Sequence, residues 1–468
     1  MRNNDRILRY YKSIIFIGII LFLSYSCRKD EAKVEVVILP VNPALQKIFD
    51  IEKVPHITLE ISTNEWNRLL ENFDINRNNE EYVLGNFTIL IDNNVTRLDS
   101  IGLRLRGNTS RRRPEGTTGE VHQATNPDWH HVHFSLNFKK YRIRQRYQNL
   151  ERMNLKWFKD DANYVREVYS YDLFERFGVW TAPQSSYCML TIKILEDEKP
   201  AYFGVYQMIE SIDEDFLSNR ANSFVSPNGN LWKCTWGANL RVPDQTLMGV
   251  EDATLDPNTM VTYIYDLKTN ENSLDGAKNQ LSDFIGEFNS TSGDNFKVWV
   301  DKKIDVPLLL KTYAVNVMVG MWDDYWANSN NYYMYFDADG RFYFIPYDYD
   351  NTLGTSLMMD SGTKNFLNWG NSHNPLIKKI IEIPEYKTMY VKYLHDLVKA
   401  ENDYFHVDKS TPRIEAWQAM IGPYVTNDTG EDMVIDDFPA PWGNQPQYRL
   451  NTETNNFFIF RSSNLPPN

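Results

Sequence analysis

The segment Val306–Met321 constrains the fold more than any other part of the chain. It is apolar on nearly every side of a helix, so other elements have to enclose it. It runs directly into Trp322-Asp323-Asp324 and an Asn-rich turn, Asn328-Ser329-Asn330-Asn331. Two aromatic runs follow, Tyr332–Phe336 and Phe342–Pro346, flanking Asp337-Ala338-Asp339-Gly340, which reads as a hairpin turn. The second run ends in Tyr347-Asp348-Tyr349-Asp350. Enclosing such a helix takes a large apolar supply. With 42% hydrophobic and 14% aromatic residues in 468, the chain has it, and disorder is excluded.

The first half reads as strands. Ile57–Ile61 alternates, and Thr63-Asn64-Glu65-Trp66 opens a capped helix. Phe87–Ile91 with Val95–Leu98 reads as a hairpin; Ile101–Arg106 and His133–Phe138 alternate again. Between them Arg111–Trp129, rich in Arg, Gly, Thr and Pro, is expected to be a mobile loop. Tyr164–Phe177 is a helix stopped by Gly178, and Tyr187–Leu195 and Tyr202–Ile209 are paired strands. Pro375–Ala400 is helical. The expected class is α+β, strand-rich in the N-terminal half and helix-rich in the C-terminal half.

Arg2, Arg6, Arg9 and Lys12 precede the apolar run Ile14–Leu23. Ten helical residues span about 15 Å, too short for a bilayer core, so residues 1–26 read as a signal peptide. Cys27 directly after it resembles the lipidation site of bacterial lipoproteins, and Arg28-Lys29-Asp30-Glu31 resembles a surface-export signal. Residues 27–52 read as a tether and 53–468 as the folded domain. The expectation is a cell-envelope protein, lipid-anchored to the outer membrane and facing the surface or the periplasm, with membrane contact through the anchor only. Loss of residues 1–26 removes four cations and one acid, taking the net charge from −13 to −16. So acidic a body is not a nucleic-acid binder. Cys188 and Cys234 remain, too few for a disulfide framework.

Side chains at i and i+2 of an extended chain share a face, so Asp348 and Asp350 can turn toward one cation. Oxygen donors of this kind suit Mg²⁺, Mn²⁺ or Ca²⁺ rather than zinc. A carboxylate ahead of the hairpin and two behind it match the needs of phosphoryl transfer: one group to orient the hydroxyl, others to hold the metal on the phosphates.

The ordered motifs resemble the spore-coat-protein-H (CotH) kinase family. Leu103-Arg104-Leu105-Arg106-Gly107-Asn108-Thr109-Ser110 is similar to its Arg-Gly-Asn-x-Ser segment, and Leu150–Glu167, with Asn154, Asp161 and Arg166-Glu167, to its next block. Phe203–Glu210, Gly229–Lys233, Asp266-Leu267-Lys268, Trp322-Asp323, Asn331-Tyr332-Tyr333 and Ile345–Asp350 continue the agreement. The resemblance implies an atypical protein-kinase-like, two-lobed domain, with an N-lobe over about 53–225 and a C-lobe over about 226–468. It implies metal-dependent transfer of phosphoryl from ATP to Ser/Thr of a protein substrate. Asp323 or Asp324 would be the catalytic carboxylate; Asn331, Asp348 and Asp350 would hold metal. Glu167 would pair with a phosphate-binding lysine. The family's lysine position falls on His131, leaving Arg106, Lys139 and Lys140 as candidate cations for the nucleotide. The alternative is a non-catalytic surface module binding a glycan or a protein, its tryptophans serving as a platform.

Overall fold

The alternating segments of the first half become strands, and the strands close on themselves. In the computed structural model β1 (His56–Ile61), β2 (Val83–Ile91), β3 (Asn94–Arg106), β4 (His133–Asn137), β5 (Arg152–Lys156), β6 (Ser185–Ile194) and β7 (Ala201–Glu210) form a barrel in the order β1-β2-β3-β4-β5-β7-β6. Neighbours run antiparallel except at the closure, where β1 pairs in parallel with β6, His56 beside Met189 and Ile61 beside Ile194. The described residues are 40–251 apart from 225 and 227, then 261–355, 365–425, 435, 450 and 456–467. Cys27 and the signal-peptide reading lie outside them. Among the described residues no helix is long and apolar enough to cross a membrane.

The barrel corrects the two-lobed, kinase-like expectation: the α+β composition stands, but the strand-rich half is a closed seven-stranded barrel. Local alternation reveals strands but says nothing about a parallel pairing between segments so distant in sequence. Closure also removes the sheet edges that an open sheet would leave. A second correction concerns the tether. From Pro43 the chain is helical (α1, Pro43–Ile48), and Leu45, Ile48 and Phe49 are buried in the barrel's apolar core. Asn42 fixes this start by donating its Nδ2–H to Asn219 Oδ1 at 3.0 Å.

A second core fills the rest. α2 (Thr63–Ile75) lies on the barrel, whereas α3 (Arg166–Arg176) turns Val168, Tyr169, Leu173 and Phe174 into the second core. After the short α4 (Glu214–Ser218), strands β8 (Asn230–Cys234), β9 (Met248–Gly249), β10 (Tyr265–Leu267), β11 (Tyr332–Phe336) and β12 (Phe342–Pro346) form a sheet ordered β12-β11-β8-β10-β9. Around it pack α5 (Leu274–Ser290), α6 (Gly293–Lys303) and α7 (Val306–Val319). α7 is the apolar helix foreseen: twelve of its side chains are buried, and Gly320 ends it at φ 68°. The one-turn α8 (Tyr325–Asn328) follows; then α9 (Pro375–Ile381) and α10 (Pro384–Leu397) split the long helix expected over 375–400, Pro384 starting the second piece. α11 (Val407–Val425) and α12 (Phe457–Ser462) complete the helices described. Cys188 and Cys234 are free and sit in different cores.

Candidate active site

The site grows from strand alternation. In β3, Leu103 and Leu105 point into the barrel core, which turns Arg104 and Arg106 outward. Register places His133 of β4 beside Arg106, and Leu155 of β5 beside Phe134. Lys156, next to the inward Leu155, therefore emerges on the same outer face, with Gln207 of β7 as its neighbour. This outer face is polar yet covered. His133, Ser135, Asn154, Lys156 and Gln207 are all buried, so their hydrogen-bonding groups need partners from outside the barrel.

The partners come from α3 and from the end of β12. Lys156 Nζ lies 2.8 Å from Glu167 Oε2 and 3.1 Å from Asp350 Oδ2, and donates to Asp348 Oδ1. Burial alone would drive the proton off Lys156, but Asp348, Asp350 and Glu167 hold its pKa well above the usual lysine value. Burial raises Glu167, with the charge of Asp348 adding to it against the pull of Lys156. For Asp348 burial is outweighed by Lys156 and Arg106, and the carboxyl is held below its usual range. Asp350, farther along the cluster, is pushed up to about 8 by burial and by Asp348 and Glu167, despite Lys156.

Backbone geometry holds this arrangement. Asp348 adopts φ 61°, a left-handed conformation that Asp tolerates better than most residues. Its N–H donates to the Tyr171 hydroxyl at 3.0 Å, and the Tyr349 N–H donates to Glu167 Oε1 at 2.9 Å. The turn thus aims Asp348 and Asp350 at one ammonium, although β12 has ended at Pro346 and the pair is not an extended i, i+2 ladder. Arg106 donates to the Tyr347 hydroxyl beside them. His133 accepts the Trp157 N–H on Nδ1 at 2.9 Å, and burial with Arg106 and Lys156 nearby keeps it neutral. The cleft over Lys156 is walled by Ser110, His133, Lys159, Asp160 and Asp350, among others.

Asp323 and Asp324 part company. Asp324 is buried as the N-cap of α8, its Oδ1 accepting the Ala327 N–H at 2.8 Å, and burial pushes its pKa up to about 7. Asp323 is half-buried, and its carboxylate accepts amide hydrogens from Asn328 at 2.6 Å, Asn330 at 3.2 Å and Asn331 at 3.1 Å. Asn331 therefore spends its amide on Asp323. Because Tyr332 pairs with Pro346, Asn331 and Tyr347 occupy the same end of the β11–β12 hairpin.

Lys139 and Lys140 do not join the cluster. They follow the far end of β4 from His133; Lys139 pairs with Glu151, and Lys140 lies 5.6 Å from the Tyr82 ring. His131 is no stand-in for a lysine either. It stacks on Trp157 at 4.5 Å, bonds to the Phe203 carbonyl, and is lowered to about 4 by burial. Lys156, one strand on, is the lysine that Glu167 pairs with. Its signal was a lysine closing a strand between Leu155 and Trp157, on the face opposite the core.

For a divalent cation the donor set is apt in type: Asp348 and Asp350 offer oxygens, and Asp350 Oδ1 is buried without a hydrogen-bond partner. Among the described residues no three His, Cys, Asp or Glu side chains are gathered for a metal. Mg²⁺ typically takes one or two carboxylates and completes its shell with water and substrate phosphates. The expected loop Arg111–Trp129 is pinned rather than mobile: Arg113 Nε lies 3.0 Å from Asp74, and buried His122 bridges Glu115 and Asp197.

No curated protein matches the chain. The sequence profile of the CotH kinase protein family matches residues 103–455, a stretch that runs from within β3 through the acidic cluster and past α11. The chain belongs to the CotH kinase protein family.

Proposed function

We propose that the protein is a metal-dependent phosphotransferase that moves the γ-phosphoryl group of ATP to a Ser or Thr hydroxyl of a protein. One observation carries this reading: three carboxylates converge on the single buried ammonium of Lys156, leaving an acidic excess beside an open cleft. Lys156, held by Glu167, is the cation for the nucleotide phosphates; Arg106 stands next to it. Asp348 and Asp350 are the groups that would hold Mg²⁺ or Mn²⁺, which when bound neutralises charge on the phosphates. Asp323, held in orientation by three Asn amides, is the group that accepts or orients the acceptor hydroxyl proton. Asp324 supports it by capping α8. Anchoring through a lipid on Cys27 at the cell envelope belongs to the same proposal.

The test is transfer of labelled phosphate from ATP to the protein or to an added substrate protein, with Mg²⁺ or Mn²⁺, for the wild type and for Asp348→Ala. Metal-dependent transfer that Asp348→Ala lowers by at least about a hundredfold supports the assignment. Absence of both transfer and any nucleotide effect on the melting temperature overturns it, and leaves a binding module for a glycan or a protein.

A further inference from the structure

A second charged surface adjoins the acidic cluster, and its sign is opposite. In the five-stranded sheet Tyr333 of β11 pairs with Lys233 of β8, which pairs with Asp266 of β10. Directly paired residues share a face, and Lys268, two residues after Asp266, joins them. That face meets the barrel rim, because the Tyr333 ring packs edge-on against Tyr347 at 5.1 Å and Tyr347 accepts from Arg106. On the rim Arg104 and Arg111 reach Glu80 at 3.2 and 3.7 Å. Glu80 feels Lys233 and Lys268 as well; against the cost of burial, these four cations hold its pKa down at about 2. Four cations, Arg104, Arg111, Lys233 and Lys268, thus face three carboxylates, Glu80, Asp266 and Glu251, while Arg106 is shared with Asp348 and Glu167. Lys268 is taken by Asp266. Lys233 is half-buried, and among the described residues its ammonium has no hydrogen bond or ion pair. In a chain of net charge −13, this is a local excess of positive charge one residue from Asp348.

We propose that this seam is an oxyanion-binding site and that it takes a negatively charged group, phosphate ester or carboxylate, carried by the acceptor polypeptide beside its hydroxyl. The anion site stands on the geometry alone; its assignment to the acceptor rests on the phosphotransferase reading. Lys233 supplies the unpartnered ammonium, Lys268 and Arg104 flank it, and Arg106 links the seam to Tyr347 and the acidic cluster. An acceptor held here would meet Asp323 and Asp348 at its neighbouring hydroxyl, so the enzyme would select serines and threonines next to acidic or already phosphorylated residues.

The test uses the purified protein without divalent metal and inorganic phosphate as the probe, followed by calorimetry. Lys233→Gln and Lys268→Gln are compared with Lys392→Gln, an exposed lysine paired with Asp396 on α10. The expected result is phosphate binding weakened about tenfold or more by the first two and unchanged by the third, with displacement of phosphate by an acidic peptide. Transfer to that peptide should show a raised KM at unchanged kcat in Lys233→Gln. Displacement by ATP and not by the peptide would overturn the acceptor assignment. Absence of phosphate binding in the wild type, or equal binding by all variants, would overturn the site itself. If phosphate binding behaves as expected while no transfer is found, the anion site survives and the phosphotransferase reading falls.

Discussion

Replacing Lys156 by Met removes the only ammonium among Glu167, Asp348 and Asp350 while keeping a side chain of similar length. Glu167 is 3% exposed, whereas Asp348 and Asp350 are 33% and 37% exposed. The two aspartates can recover hydration; Glu167 cannot, and it carries most of the cost. Breaking a buried pair costs about 3–5 kcal/mol at neutral pH. With an unfolding entropy of about 2 cal/mol/K per residue, a body of this size loses about 1 °C per kcal/mol, so the melting temperature should fall by about 3–5 °C. The pH dependence gives the sharper check. Without Lys156 the folded-state pKa values of Glu167 and Asp350 rise further above their unfolded values. Stability tied to such groups is present below the unfolded pKa and lost as pH rises through the folded one. The deficit of Lys156→Met relative to wild type should therefore be larger at pH 8 than at pH 5. Added Mg²⁺ should also raise the variant's melting temperature more than the wild type's, because a hard cation can replace the ammonium among those oxygens. Differential scanning calorimetry at the two pH values measures both effects. An equal deficit at pH 5 and pH 8 would show that the loss is one of apolar packing, and the charge argument would be refuted.

His122 donates from both ring nitrogens, Nδ1–H to Glu115 at 2.9 Å and Nε2–H to Asp197 at 3.0 Å, which only an imidazolium can do. Burial opposes the charge but the two partners win, and its pKa is raised. Its contribution is therefore complete below about pH 6.5 and lost as pH climbs through the raised value. Amide exchange in the Arg111–Trp129 loop should quicken with pH beyond the intrinsic rate in the wild type, and His122→Gln should abolish that excess dependence. For the paired aspartates, Asp324→Ala should cost about 1 kcal/mol of stability through loss of the α8 cap, seen as a lower melting temperature. Asp323→Asn should abolish phosphoryl transfer while Asp324→Ala retains it; the reverse pattern would exchange their roles.

Local signals were legible wherever the physics is local. The hairpin over 332–346 follows from aromatic runs around Asp-Ala-Asp-Gly, and Asp337 indeed accepts the Asp339 and Arg341 N–H groups that shape the turn. α7 follows from unbroken apolarity, and α3 from Val168, Leu173 and a glycine stop. Barrel closure could not be read, because the β1–β6 pairing joins segments whose patterns are alike whether the sheet is open or closed. Composition alone does not reveal how the Arg111–Trp129 loop is held: its arginines look solvated until Asp74 and the main chain are brought beneath them.

Lys156 escaped for a related reason, and it shows which signal to trust. The family resemblance places the cation on the strand after His131, whereas the alternation of β5 separates Met153 and Leu155 from Asn154 and Lys156. A strand with one apolar and one polar face is ordinary at a surface. In β4 and β5, however, all but Arg152 are buried, so a second body must cover the polar face and satisfy it. That body has to bring carboxylates to the lysine, and it does so with Glu167 at a helix start, whose neighbour Arg166 is paired with Asp161, and with Asp348 and Asp350 at a hairpin's end. The ion cluster is thus the consequence of covering a polar barrel face, and the cleft beside it is where that cover stays incomplete.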